Sequence, residues 1–211
     1  MVEWSIEAFR ACDSVRSIVV AAPPGHVHDF AGGRDLGLVP GGATRAQSVA
    51  HALEAVETEY VAVHDAARPL LTPELVEALA ADLDAAPEAA GVIATAPVTD
   101  TIKRAGASNL RSDTPEVLDR RFVIEATEDR SRLWAAQTPQ VFRTAALRGA
   151  LAAAERPQEA TDEAMLLEWN GGTVLLHPVA EQNLKVTTPL DLRVAELLLA
   201  ERAGAQSRSS T

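Results

Sequence analysis

An aspartate and an arginine, Asp65 and Arg68, stand three residues apart inside the stretch Tyr60 to Val76, YVAVHDAARPLLTPELV. The apolar run before them, Val61-Ala62-Val63, is short and β-branched enough for a buried strand. After them, Thr72 can cap a helix, Pro73 suits the first helical position, and Glu74 favours the positive end. HDAARP is therefore a strand-to-helix turn. Ligands of open α/β sheets bind outside the carboxyl ends of strands, so an acid and a cation here sit where chemistry usually happens. The same pair can also do no more than tie down a turn.

Other polar residues collect at the ends of apolar segments: Gly41, Gly42 and Ser48, Thr101 and Lys103, Arg130, Thr138, Thr161 with Asp162, and Asn183 with Lys185. Each residue alone has a plainer reading. Gly41-Gly42 is a turn, Thr161 an N-cap, Lys185 a solvated lysine, and Arg130 one member of the charged run Glu128 to Arg132. Their joint occurrence at strand ends favours a site.

The elements that position them follow from pattern. Trp4 to Cys12 reads as a helix and Ser17 to Ala22 as a strand, and residues 26–37 have no clear period. Leu38-Val39 is a short strand. Thr44 opens a helix with Gln47 three residues on, a capping-box spacing, and Val49, Leu53 and Val56 share its face. Leu75, Val76, Leu79 and Leu83 form the apolar face of the helix after the central turn. Gly91 to Val98 is the next strand. Residues 100–128 lose all periodicity apart from brief candidate strands at Asp100 to Arg104 and Arg121 to Ala126, the pattern of a lid, an arm or disorder. Regular structure resumes at Arg132 to Ala136. Helices are expected from Thr144 to about Glu155, from Thr161-Asp162-Glu163 to Asn170-Gly171-Gly172, and from Thr188-Pro189 onward. Thr173 to Val179 is a strand. Strands alternating with helices imply a mainly parallel sheet. One domain over 1–203, with an arm at about 100–132 and a frayed tail over 204–211, is the expected organisation.

Composition narrows the class. The 211 residues are 47% hydrophobic but only 4% aromatic, so the core must be aliphatic. A net charge of −11 argues against a general nucleic-acid or membrane-surface binder. The single cysteine, Cys12, excludes an intrachain disulfide framework and a cysteine-based zinc cluster. No apolar run reaches transmembrane length, and Glu3, Glu7 and Arg10 interrupt any signal-peptide pattern. A cytoplasmic protein is the expectation.

In this order, GGATRAQSV, VHDAARP, DTIKR, DRSRLWAAQTPQVF, ATDEA and NLKVTTPLDL resemble the 2-C-methyl-D-erythritol 4-phosphate cytidylyltransferases of the non-mevalonate isoprenoid pathway. The likeness runs from about Trp4 to Glu201. It implies a Rossmann-like α/β fold of the nucleotide-diphospho-sugar transferase type, with a projecting β-arm that embraces a second subunit in a homodimer. It also implies that Gly42 and Ser48 contact cytidine, with Ala66 and Ala67 beside the nucleotide. Asp65 would lie near the CTP phosphates and a magnesium ion. Arg68, Thr101, Thr138 and Thr161 would hold the methylerythritol phosphate. Arg130 and Lys185 would orient its phosphate for attack, the arm residues serving the partner's site.

The resemblance also has departures. The family opens with a strand and a Gly-rich basic loop around the triphosphate, whereas Met1-Val2-Glu3-Trp4 resembles the middle of its first helix. No lysine precedes Lys103, Ala43 replaces the acid usual after the two glycines, and the arm is longer and more polar. The likeness therefore implies an open gap or edge in the sheet and little activity from these 211 residues alone. A cytidylyltransferase for another polyol phosphate, such as ribitol 5-phosphate, and a non-catalytic dimer-forming remnant are the other readings.

Overall fold

The computed structural model describes residues 1–23, 25–26, 35–106, 123–179 and 183–209. In chain order the elements are α1 (Val2–Arg10), β1 (Ile18–Ala22), β2 (Leu36–Pro40), α2 (Arg45–Glu54), β3 (Tyr60–Val63), α3 (Pro73–Asp84) and β4 (Gly91–Pro97). They continue as β5 (Lys103–Ala105), β6 (Ile124–Thr127), β7 (Trp134–Arg143), α4 (Thr144–Ala153), α5 (Glu163–Trp169), β8 (Val174–Pro178) and α6 (Pro189–Ser209). The fold is α/β with most strands running one way. In the sheet ordered β3-β7-β4-β8, β4 and β8 are parallel and β3 shares their direction; only β7 is reversed. β1 and β2 form a separate parallel pair.

Local chemistry explains where the helices begin. The Thr44 hydroxyl accepts from Gln47 N–H, while the Gln47 side chain reaches back to Ala43 N–H, one residue earlier than in a full capping box. Thr72 caps α3 through Leu75 N–H, with Pro73 at the first helical position. The core is aliphatic, as composition requires. Leu79, Leu83, Val92, Ala94 and Val141 form one cluster, Phe142, Leu147, Leu166 and Leu167 lie in a second, and Ala8, Cys12, Leu71 and Val76 form a third. Gly91 faces the Phe142 ring so closely that a Cβ would come within 2.2 Å of a ring carbon, so no side chain fits there.

Several elements differ from expectation. β7 continues through Pro139, which has no N–H for the ladder. Ile93 pairs with Gln140 and Thr95 with Ala136, so Gln137, Thr138 and Pro139 bulge opposite Ala94 alone. β2 begins at Leu36, two residues early, because Ile18 and Val19 of β1 pair with Leu36 and Gly37. The α5 cap is Asp162, whose carboxylate accepts from Met165 N–H, and not Thr161. α6 runs past Gly204 to Ser209, so a frayed tail from 204 is corrected: residues 203–208 (AGAQSR) include good helix formers. The arm begins as the antiparallel pair β5–β6; its middle, 107–122, lies outside the described residues.

Among the described residues β1 and β3 each keep one edge unpaired, and both line a groove of about 780 Å3. Val2, Ile6 and Phe9 of α1, Val49 and Leu53 of α2, and Val76 of α3 complete its apolar walls. Arg45, Ser48, His64 and Asp65 also line it.

Candidate active site

The turn after β3 is pinned on two sides. Arg68 N–H donates to the Asp65 carbonyl at 2.9 Å and closes the turn itself. The β7 bulge brings in Thr138, whose hydroxyl accepts from Asp65 N–H at 3.0 Å and meets His64 Nδ1 at 3.1 Å. The Arg68 carbonyl, 3.1 Å from His64 Nε2, can only accept, so Nε2 carries the ring hydrogen and Nδ1 accepts from the Thr138 hydroxyl. Burial pushes the His64 pKa down to about 4, so the ring is neutral at physiological pH.

On the far side, the strip Asn183–Val186 is stitched along the turn. Arg68 donates to the Asn183 carbonyl at 2.6 Å, the Asn183 amide donates to the Thr138 carbonyl at 2.6 Å, and Val186 N–H donates to the Ala67 carbonyl at 2.7 Å. This places Lys185 Nζ 2.9 Å from Asp65 Oδ2. Arg45, from the start of α2, approaches Asp65 Oδ1 at 3.4 Å and is itself held by both oxygens of the buried Glu163. Burial alone would raise the Asp65 pKa; Lys185, Arg45 and Arg68 outweigh it and hold the carboxyl below the usual range. For Glu163 burial prevails over Arg45, and its pKa is raised.

Gly42 and Ser48 sit at the start of α2. Gly42 N–H donates to Ser48 Oγ, which donates to the Thr44 carbonyl. A Cβ on Gly42 would lie 2.3 Å from Gln47 Cβ, so the chain passes this helix only without a side chain. The structure thus gathers Asp65, Ala66, Ala67, Arg68, Thr138 and Lys185 at the carboxyl end of β3, while Gly42, Ser48 and Asp65 lie at or beside the groove. Arg68 and Thr138 are buried and committed to this scaffold. Thr101 and Arg130 stand apart: both are exposed near the base of the arm, and Arg130 donates to the Thr99 carbonyl at 2.5 Å. Thr161 is exposed just before α5. Among the described residues no group of three or more His, Cys, Asp or Glu could cage a metal.

A fixed carboxylate with cations on both sides, at a strand end beside a groove, is equipped to receive a phosphate-bearing ligand. The family description "2-C-methyl-D-erythritol 4-phosphate cytidylyltransferase" matches residues 1–201. The chain belongs to this family. It is therefore a nucleotidyltransferase by descent. The enzyme of that name from Burkholderia multivorans (strain ATCC 17616 / 249) is 38% identical over 97% of this chain and 86% of its own length. The one from Synechococcus sp. (strain WH7803) is 39% identical over 94% and 86%. The crystal structure of the 2-C-methyl-D-erythritol 4-phosphate cytidylyltransferase from Thermus thermophilus superposes with a TM-score of 0.72 at 34% identity, covering 93% of this chain and 87% of that one.

Sequence reasoning missed the roles of Arg45, Glu163 and His64. Arg45 carried one signal, since a cation in the first turn of a helix opposes the helix dipole and needs a local reason. Neither Glu163 nor His64 carried one.

His64 gives a pH prediction. Its folded pKa, about 4, lies below the unfolded value near 6.5, so the unfolded chain binds the extra proton between them. Stability from this group is therefore full above about pH 6.5 and lost as pH falls towards 4, at up to about 1.4 kcal/mol per pH unit. Urea unfolding of the parent and of His64→Gln at pH 7, 6 and 5 checks it. The parent should lose more stability on acidification than the variant, and parallel losses would refute the assignment.

Proposed function

We propose that this chain transfers a cytidylyl group from CTP to 2-C-methyl-D-erythritol 4-phosphate, releasing pyrophosphate, in non-mevalonate isoprenoid biosynthesis. The observation that carries this reading is the Lys185–Asp65–Arg45 cluster on a strand-end turn in a chain matched to the family over residues 1–201. An oxygen of the substrate phosphate attacks the α-phosphorus of CTP, the new P–O bond forms, and the bond to the β-phosphate oxygen breaks. A phosphate monoester is already largely dianionic at neutral pH, its second pKa being about 6, so no general base is needed. The difficulty is bringing two anions together and stabilising charge in the transition state.

Within this reading Lys185 and Arg130 orient the attacking phosphate, while Gly42, Ser48, Ala66 and Ala67 line the nucleotide. Arg68, Thr138, Thr101 and Thr161 complete the second substrate's surroundings, the first two by fixing the scaffold. Asp65 fits a magnesium site: magnesium is commonly held by one or two carboxylates together with substrate phosphates, and Asp65 is a single ionised carboxylate. The metal ion would neutralise charge on the triphosphate. Lys185, which is half exposed, is the partner on Oδ2 that can turn away and free that oxygen for the metal ion.

Assembly as a homodimer through the arm is part of the proposal. Ile102, Val123, Ile124 and Trp134 are all exposed at or next to the arm, and Ile124 is 62% exposed. Apolar side chains grouped this way mark an interaction surface. Sedimentation velocity at micromolar concentration should give a dimer, and a monomer would count against it. No helix among the described residues is long and apolar enough to cross a membrane, in keeping with work in the cytoplasm.

The decisive assay follows radiolabelled CTP with methylerythritol phosphate, ribitol 5-phosphate or neither. Methylerythritol-dependent pyrophosphate release supports the reading; preference for ribitol phosphate overturns it.

A further inference from the structure

Arg45 occupies the first residue of α2, where the helix disfavours a cation. Glu163 holds it there. That carboxylate, the first residue of α5, is 1% exposed and gives both oxygens to Arg45 Nη1. A carboxylate so buried is costly unless paired, so the pair is fixed. The same guanidinium presents its other nitrogen, Nη2, to Asp65 Oδ1 at 3.4 Å, while Lys185 holds Oδ2.

We propose that Arg45, locked by Glu163, is a positioning residue that sets the rotation of the Asp65 carboxylate towards a metal-bound nucleotide. The proposal rests on the function proposed above. Lys185 is exposed and able to leave for an incoming phosphate, whereas Arg45 is tethered by a buried partner and stays. Oδ1 then remains held and Oδ2 faces the ligand. A planar guanidinium bridges two carboxylates through two nitrogens in a fixed fork, which an ammonium group cannot do.

The test reads binding, not turnover. Free Mn2+ is followed by its electron paramagnetic resonance signal as the 211-residue chain is titrated with and without CTP, and metal-free CTP affinity is measured by calorimetry. Arg45→Met should weaken CTP-dependent Mn2+ binding about tenfold, the scale for losing an outer-shell partner of a metal ligand. Metal-free CTP affinity should stay close to the parent's, whereas the melting temperature of Arg45→Met should fall, because the buried Glu163 loses its partner. Glu163→Gln should shift Mn2+ binding in the same direction. Arg45→Lys, which keeps the charge, should recover part of the loss.

Unchanged or tighter Mn2+ binding in Arg45→Met or Arg45→Lys overturns the proposal. So does an equal loss of metal-free CTP affinity, which would make Arg45 a nucleotide contact. A parent chain that takes up no Mn2+ with CTP overturns the proposed function and this inference together, so the two failures are distinct.

Discussion

Filling the groove between β1 and β3 should raise cytidylyl transfer by about a hundredfold or more, because it adds donors on a side of Asp65 where the described residues place none. The added segment is a five-residue β-branched strand followed by a Gly-rich loop carrying a lysine and an arginine, joined ahead of Met1. In-line transfer at an α-phosphorus needs cations and backbone N–H groups aimed where charge develops, and one preorganised donor is worth about 2.7–4 kcal/mol. Around Asp65 the described cations are Lys185, Arg45 and the buried Arg68, all on one turn and its neighbours. None of them comes from β1 or the free edge of β3. An inserted strand also gives both unpaired edges a ladder partner and covers apolar walls, so the melting temperature should rise by about 4–8 °C, roughly 2 kcal/mol at this length. Side-by-side assays and melts of the two chains decide it, with a polar Gly/Ser segment of equal length as control. Equal rates would mean the chain has a triphosphate cradle elsewhere.

Replacing Lys185 by alanine in the filled chain should lower turnover by about 10²–10³-fold, the loss expected for one preorganised charge donor. CTP affinity should change much less, because in the proposed reading this cation serves the other substrate and Asp65 retains Arg45. In the proposed homodimer Arg130→Ala should act similarly but on the partner's site, its side chain being engaged at Thr99 and not at the Asp65 cluster of its own chain. Mixing the two inactive variants then gives hybrid dimers with one intact site, and about a quarter of the parent activity should return if subunits assort at random. No recovery would place Arg130 in its own subunit's site; a matching fall in CTP affinity would reassign Lys185 to the nucleotide.

The turn at Asp65 was legible because everything that makes it is local: a β-branched run before the acid, then a threonine cap and a proline soon after the arginine. The helix starts at Thr44 and Thr72 were legible for the same reason. The bulge at Thr138 was not, since a proline reads as an interruption and only the register against β4 shows the strand continuing. Arg45 and Glu163 lie 118 residues apart, and no periodicity connects them. Thr101 and Arg130 were legible only as polar residues at the ends of apolar segments; in the structure both are exposed, and Arg130 is engaged at the Thr99 carbonyl.

The stitched strip beside the turn has a consequence for how the protein is made. The bonds Arg45–Glu163, Arg68–Asn183 and Asp65–Lys185 join residues 118, 115 and 120 positions apart. Domains fold as their parts leave the ribosome, at roughly 5–20 residues per second. Asp65 and Arg68 therefore emerge about 6–24 s before Lys185 and Asn183, at that rate. During that interval Asp65 has Arg45, made before it, within reach, whereas Arg68 still lacks the Asn183 carbonyl. A nascent chain halted after α5 would own the turn and the Arg45–Glu163 pair, yet Arg68 would have no carbonyl to receive it. The centre is thus among the last features to close, and rare codons just upstream of Asn183 would prolong the wait.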